Sequence, residues 1–590
     1  MRRVHDELPP ATASEALSTL TVDELRGLGV VATGEKPRGR KAELVALLAA
    51  RLADGGARRF YESLDEVDRA AVAEAAHNRV FGRFDAPRFR AKYGRDPGWG
   101  ASSWGRTSSP NKLDLLFCGR RTLPADVRAT LRTFVPEPEE SSVRSRGEPP
   151  AGTMVESERA AQRDLLAVLR LIETGKIAVS DRTRRPSAAA VRLIESVIDG
   201  GDFYAGDESV GAIKAFAWPM IVQAAGLASP SASRLALTKA GARALREPAA
   251  NTLARAWKKW QSTTLLDELS RIEEIKGQSG RGRRGLTAVA GRRAAIAGAL
   301  ADCPVGRWVE VDELFRHMQA GEHDFEVTRD AWRLYICEPQ YGSLGYVGCG
   351  GWNILQARYA LAFLLEYAAT LGVIDVACVP PTGARDDYHN LWGADGLELL
   401  SRYDGLTHIR LTALGAFCLG LANEYEPAPV DRRPVLRVLP DFEVTAFEEL
   451  THADRLALDR YAERKGTHVW RLQRERILAA VETGEDIASV REYLRARSAT
   501  GLPHTVAQLL EDIAERSRAL RVRGGALLIE CADRAIATML AHDRRTKGLC
   551  LLAGENALAI PAASEPAFRR AARQLGYVVG APDTSHSPGS

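Results

Sequence analysis

Residues 277–285 read GQSGRGRRG. Gly280, Gly282 and Gly285 have the G-x-G-x-x-G spacing of a dinucleotide-binding turn, but Arg281, Arg283 and Arg284 fill the positions between them. A dinucleotide site needs an apolar strand before the first glycine, a helix after the last and an acidic residue about 20 positions on. Upstream, Leu265, Leu269, Ile272 and Ile275 recur at helical spacing, so the strand is missing and the fingerprint fails. Charge offers the better chemistry. From Lys276 to Arg293 the chain carries Lys276, Arg281, Arg283, Arg284, Arg292 and Arg293, and no acidic residue. Glycines between arginines let guanidinium groups approach phosphates closely, and each phosphate neutralised releases counterions. Contact with a nucleic-acid backbone is the expectation; a solvated connector is the alternative. The shorter basic turn Arg182, Arg184 and Arg185 is open to the same two readings.

Other constellations fall short of catalysis. RDDYHN at 385–390 offers two carboxylates and a histidine, but a nuclease needs further metal-binding acids in register. Gly34 and Gly39, followed by Arg40 and Lys41, miss the P-loop at both deciding positions, which require lysine and then serine or threonine. The serines show no G-x-S-x-G elbow. Eight cysteines stand singly, without a C-x-x-C pair, and read as reduced, mostly buried thiols. A metal site built from Cys337, Cys349 and His389 has no spacing signature to support it. Trp257 and Trp260, beside Lys258 and Lys259, lie at i, i+3 and read as a buried helix face rather than a stacking platform. Tyr335, Tyr341, Tyr346 and Trp352 fall in a glycine-rich stretch, where packing under a loop is favoured over lining a groove. No cofactor, metal or enzymatic activity is expected.

The elements that must carry these residues are mostly helical. A chain of 590 residues holds several domains. A formal net charge of +4 does not announce a polyanion-binding protein, so clustering of charge matters more than its sum. The opening MRRVHDELPP lacks the apolar core of a signal peptide, and the apolar run YALAFLL from Tyr359 meets Glu366 far short of a membrane span. No membrane contact and a cytoplasmic setting are expected. In 14–54, Thr21 and Glu24 make a capping-box pattern ahead of Leu25 and Leu28. A basic loop then carries Lys36, Arg38, Arg40 and Lys41, and Leu44, Leu47 and Leu48 share a second helix face. This helix–loop–helix resembles a SAP domain, a small DNA-binding module. The resemblance implies backbone contacts from the loop and the second helix.

Residues 56–135 read as a helical, winged-helix-like unit, and 136–155, rich in proline, serine and charge, as a linker. In 156–249, helices precede a hairpin around GLASPSASRLALT, the order of a winged helix, whose third helix usually enters the major groove. Residues 250–428 repeat that order with insertions: LALTKAGARAL and IRLTALGAFCL each place LT before a small-residue helix. The stretch 430–580 resembles the N-terminal, non-ATPase domain of XPB-type DNA helicases. The resemblance rests on VLPDFEV, on the helical run RLQRERILAAVETGEDIASVREYLRARSATGLP and on the RVRGG hairpin. It implies a helicase-associated domain, although the chain has no Walker A motif, no D-E-A-H-type box and no helicase core. Residues 581–590 read as a disordered tail. The expected fold is mainly α with small β elements (α+β). The expected function is non-catalytic DNA binding through backbone contacts, in DNA repair or defence against foreign DNA, alongside a helicase or nuclease encoded elsewhere. A winged-helix transcription regulator and a protein–protein scaffold without DNA binding are the alternatives.

Overall fold

The computed structural model describes residues 10–580 except 54, 79–81, 100–108, 149, 205–209, 339, 341, 348–350, 428–433, 449, 451, 483–484, 518 and 520–524. Tyr341, Cys349, residues 521–524 of the RVRGG stretch and the tail at 581–590 therefore lie outside the described residues. The chain divides into two compact units, Met1–Gly501 and Leu502–Ser590.

The first unit opens with helices α1 (Ala13–Ser18), α2 (Val22–Thr33), α3 (Lys41–Leu52), α4 (Gly56–Glu62), α5 (Glu66–His77), α6 (Ala86–Tyr93), α7 (Lys112–Leu116) and α8 (Ala125–Arg132). The capping box at the start of α2 is present: Thr21 Oγ1 accepts from Glu24 N, and Thr21 N donates to the Glu24 carboxylate at 2.6 Å. Leu25 and Leu28 of α2 and Leu44 and Leu48 of α3 are buried in a core that also holds Phe89, Leu115, Phe117 and Leu131. Segments 14–54 and 56–135 thus share one core. Two short helices bury too little apolar surface to stand alone, and the following helices supply the rest.

The next elements are β1 (Thr153–Val155), α9 (Ser157–Glu173), α10 (Ala188–Glu195), α11 (Lys214–Ala224), β2 (Ala228–Ser231), β3 (Arg234–Leu237), α12 (Lys239–Ala244) and α13 (Ala249–Ser262). There follow β4 (Ile275–Lys276), α14 (Gly280–Gly285), α15 (Val289–Ala301), β5 (Trp308–Glu310), α16 (Val311–Ala320), β6 (Tyr335–Ile336), α17 (Arg358–Ala362), β7 (Ile374–Cys378), β8 (Leu406–Leu411) and α18 (Ala413–Leu419). Helix α17 is prolonged on both sides by π-helical turns, Trp352–Ala357 and Phe363–Ala369. The antiparallel sheet runs β1-β7-β8-β5. A single hydrophobic core extends from Ala161 to Leu414, so 156–249 and 250–428 are packed as one body.

The stretch 136–155 is not a free linker. Arg144 N donates to Glu313 at 3.0 Å, Arg146 exchanges backbone hydrogen bonds with Trp308, and Thr153–Val155 forms the edge strand against β7. Its polar composition suits an exposed segment, but its backbone donors and acceptors are met by a sheet distant in sequence.

Two buried carboxylates tie this body together. Asp375 accepts from Ser157 N at the start of α9 at 2.7 Å and pairs with Arg410 at 2.8 Å; Asp164 faces Lys214 at 3.5 Å. Burial pushes the Asp375 carboxyl up to about 6, against the opposing pull of Arg410. A carboxyl raised in the folded state contributes stability that is present at low pH and lost as pH rises through about 6. Asp375→Asn is therefore expected to gain on the wild type as pH rises from about 4 to about 7. Denaturation midpoints of both proteins across that window check this; a constant difference would contradict it.

The first unit ends with β9 (Leu436–Val438), β10 (Glu443–Ala446), α19 (His452–Tyr461), β11 (Ala462–Arg464), β12 (Val469–Leu472), α20 (Arg474–Glu482) and α21 (Ile487–Arg497), with antiparallel strand order β11-β12-β10-β9. Pro440 and Asp441 make the β9–β10 turn. Arg460 pairs with Glu485 at 3.0 Å and with Asp199, docking this sheet region on the preceding body. The second unit contains α22 (His504–Ser517), β13 (Ala526–Glu530), α23 (Arg534–His542), β14 (Leu551–Leu552), β15 (Ala557–Pro561) and α24 (Glu565–Gln574). Leu558 and Ile560 of its central strand are buried with Leu540 and Phe568. Leu528 and Leu551, paired on either side of Ala559, are exposed. Helices with small antiparallel sheets make the whole an α+β protein. Among the described residues, no helix is long and apolar enough to cross a membrane.

Candidate nucleic-acid interface

The GQSGRGRRG segment is a helical turn, α14, and not a mobile loop. The residues before it also differ from the helix expected at 265–275: a 3-10 turn covers Glu268–Arg271, and Ile275–Lys276 pair with Tyr335–Ile336 as β4 and β6. Gly282 and Gly285 have a packing cause, whereas Gly280 starts the turn in the left-handed region at φ 57°. A Cβ on Gly282 would lie 1.8 Å from the Gly277 carbonyl oxygen and 3.6 Å from Arg333 Cβ, so α14 packs where only glycine fits. Leu286 bridges to Thr328, and Arg329 N donates to Gly285 O at 2.8 Å. Gly282 and Gly285 thus seat the turn on residues 328–333.

This seating leaves the cations outside. Arg281, Arg283, Arg284 and Lys276 are exposed, and among the described residues none of them has a carboxylate or hydrogen-bonding partner for its side-chain cation. Arg329, on the adjoining segment, is exposed as well; Arg333 pairs with Asp330 at 3.3 Å. Beside Arg333 stands Trp332, 46 % exposed, in edge-on contact with Tyr346, which is 80 % exposed; their ring centroids are 4.7 Å apart. Free guanidinium groups and exposed aromatic faces therefore share one continuous piece of structure. That combination grips a strand by its phosphates and stacks its unpaired bases.

Arg292 and Arg293 overturn the expectation that the whole basic run faces a polyanion. They are 1 % and 0 % exposed. Arg292 forms a two-pronged pair with Asp267 at 2.8 and 2.9 Å. Arg293 pairs with Glu268 at 2.7 Å and donates to the carbonyls of Thr263 and Leu266. Burial alone would lower both guanidinium pKa values, but the facing carboxylates raise them. Neither side chain can reach a phosphate. A signal for this exists in the sequence: Arg293 shares one helix face with Ile296, Ala297 and Leu300, and Asp267 and Glu268 precede Arg292 and Arg293 by the same 25 residues.

Lys36, Arg38, Arg40 and Lys41 are exposed around the start of α3, with no carboxylate among the described residues paired to their side chains. Glu43 accepts from Arg40 N at 3.0 Å and holds the helix start in place. Arg182 and Arg184 are exposed, Arg184 in the left-handed region at φ 63°, whereas Arg185 is half-buried and donates to Ser270 Oγ at 3.0 Å. Trp257 and Trp260 are fully buried, Trp260 stacked on Tyr367 at 4.1 Å, as helical spacing predicts.

Of the two acids of RDDYHN, Asp387 is engaged. Asp387 takes two hydrogen bonds from buried Arg358, at 2.6 and 2.7 Å, and Arg358 also pairs with Asp404 at 3.1 Å. Arg385 pairs with Asp312 at 2.8 Å. Asp312, Arg385, Asp387 and Asp404 line a cleft of about 690 Å3 together with Arg90, Arg316, Glu310 and Asp386. Cys337 and His389 line another pocket, where the Cys337 thiol donates to Glu274 and is pushed up by burial and by that carboxylate.

Residues 436–553 match the family model described as helicase conserved C-terminal domain. The match overlaps the stretch expected to be helicase-associated and supports a helicase-related domain in the C-terminal part of the chain. Among curated proteins none matches.

Proposed function

We propose that this chain is a non-catalytic, helicase-associated DNA-binding protein that holds DNA by its phosphates and unpaired bases and does not read base pairs. The observation that carries this reading is the set of exposed cations Arg281, Arg283 and Arg284 on a turn packed against the segment bearing exposed Trp332. The SAP-like loop with Lys36, Arg38, Arg40 and Lys41 adds a second set of exposed cations. The family match at 436–553 supports the helicase association. A separately encoded helicase or nuclease is the partner this reading implies, in DNA repair or defence against foreign DNA.

Two segments follow the winged-helix order. In the first, α9, a bridge from Ala178 to β3, α10, α11 and the β2–β3 hairpin succeed one another. In the second, the order is α15, β5, α16, the helix through α17, and β7–β8, with β5 paired to β8. In both, the third helix is the one such a fold inserts into a major groove. Here Lys214 to Val222 of α11 and Arg358 to Ala369 are buried on every side. A helix buried all round belongs to a core and has no face left for base edges. This disfavours a transcription regulator that reads an operator.

Trp332→Ala is expected to weaken binding to single-stranded DNA by about 1–3 kcal/mol, the usual value of one base stacked on an aromatic ring, and to leave duplex affinity almost unchanged. Parallel anisotropy titrations with both forms check this. Equal loss on both forms, or none on either, would count against stacking.

A further inference from the structure

Three side chains remain that the DNA-binding reading does not use. Asp302 caps the C-terminus of α15, His317 lies in the last turn of α16, and His323 lies three residues beyond the end of that helix at Ala320. Both imidazoles aim at the same carboxylate oxygen: His317 Nε2 lies 2.8 Å and His323 Nε2 2.7 Å from Asp302 Oδ2. One nitrogen or oxygen from each of the three residues falls within 4.8 Å of the others. The place is built into the fold. His317 is 4 % exposed. His323 is half-buried against α15, where a Cβ on Gly298 would sit 2.7 Å from its Nδ1. Asp302 is exposed, so one side of the cluster opens to water.

We propose that Asp302, His317 and His323 bind a divalent transition-metal ion, with zinc the best match. Two imidazole nitrogens and one carboxylate oxygen suit zinc, cobalt and nickel; magnesium and calcium favour oxygen ligands throughout. The open side takes water as the remaining ligand. Without an ion, Asp302 Oδ2 accepts from both Nε2–H groups; on binding, the His317 ring proton moves to Nδ1, which has no hydrogen-bond partner among the described residues, and Nε2 presents its lone pair to the metal. The present separations are hydrogen-bond lengths. Ligands held about 2.0–2.1 Å from zinc stand about 3.3 Å apart in a tetrahedron, so the Asp302 carboxylate and each imidazole part by roughly half an ångström on binding. The ion joins the C-terminal ends of α15 and α16 to the segment leading toward Trp332. Asp324, next after His323, already fixes that segment by accepting from Trp352 Nε1 at 2.8 Å. The site is therefore a clasp behind the aromatic turn.

The test uses the untagged full chain, stripped with chelator and dialysed. Calorimetric titration with zinc is expected to show one equivalent bound with micromolar or tighter affinity. Cobalt titration is expected to produce visible d–d absorption bands, and zinc to raise the unfolding temperature. His323→Asn and Asp302→Asn, both on solvent-accessible side chains, are expected to weaken zinc binding at least tenfold and to abolish the thermal shift. Absence of saturable binding below millimolar zinc would overturn the proposal. So would stoichiometry and affinity unchanged in both variants, which would place the ion elsewhere, or magnesium binding as tight as zinc.

Discussion

Replacing Arg281, Arg283 and Arg284 together by alanine is expected to flatten the salt dependence of single-strand binding by about two units in log K against log salt. The figure follows from about 0.7 units for each phosphate that a single strand no longer has neutralised by the protein. All three side chains are exposed and none engages a carboxylate among the described residues, so their charge is available to a polyanion and their removal leaves the packing of the fold intact. The variant should unfold within about 0.5 kcal/mol of the wild type, as surface substitutions generally do. Anisotropy titrations at several salt concentrations, with an unfolding curve as control, measure both quantities. An unchanged slope would return α14 to the role of a connector.

Arg293→Ala should do the reverse. Its guanidinium is fully buried and meets Glu268, which also accepts from Trp260 Nε1 at 3.1 Å and from Tyr359 Oη at 2.6 Å. Truncating the arginine leaves Glu268 charged and buried with only neutral donors, at a cost of about 3–5 kcal/mol. Chemical denaturation should show that loss, while the salt slope of whatever folded protein remains stays at the wild-type value. Wild-type stability in this variant would mean that the buried pair does not hold α15 to the turn at Asp267–Glu268. The contrast is sharp because both sets of arginines come from one uninterrupted basic run.

That contrast also marks what the sequence discloses. Local signals hold: Thr21 with Glu24 starts α2, GLASPSASRLALT forms the β2–β3 hairpin, with Pro230 inside β2 and the turn at Ala232–Ser233, and the paired tryptophans of α13 face the core. Each depends on residues within a few positions. Non-local pairing is not legible. Residues 136–155 have linker composition, yet Thr153–Val155 pair with β7, because an unpaired sheet edge accepts any extended backbone that reaches it. The third helices look like groove readers by their order alone; only packing shows that α11 and the helix through α17 have no free face. Trp332 gives no sequence signal because one tryptophan in a polar run carries no periodicity, and its exposure follows from the α14 and Leu344–Tyr346 turns that meet it. The clasp at Asp302 is hidden for the same reason: its ligands have no recognised spacing and meet only when α15 and α16 pack.

The most direct measurement is an anisotropy titration of the full chain against one mixed-sequence oligonucleotide, single-stranded and as a duplex, from low to physiological salt. Tighter binding to the single strand, insensitive to base sequence, with log K falling linearly against log salt, is the predicted result. No binding to either form at the lowest salt, or salt-insensitive preference for one duplex sequence, would contradict the claim that exposed arginines and aromatic faces make this chain a DNA-strand grip.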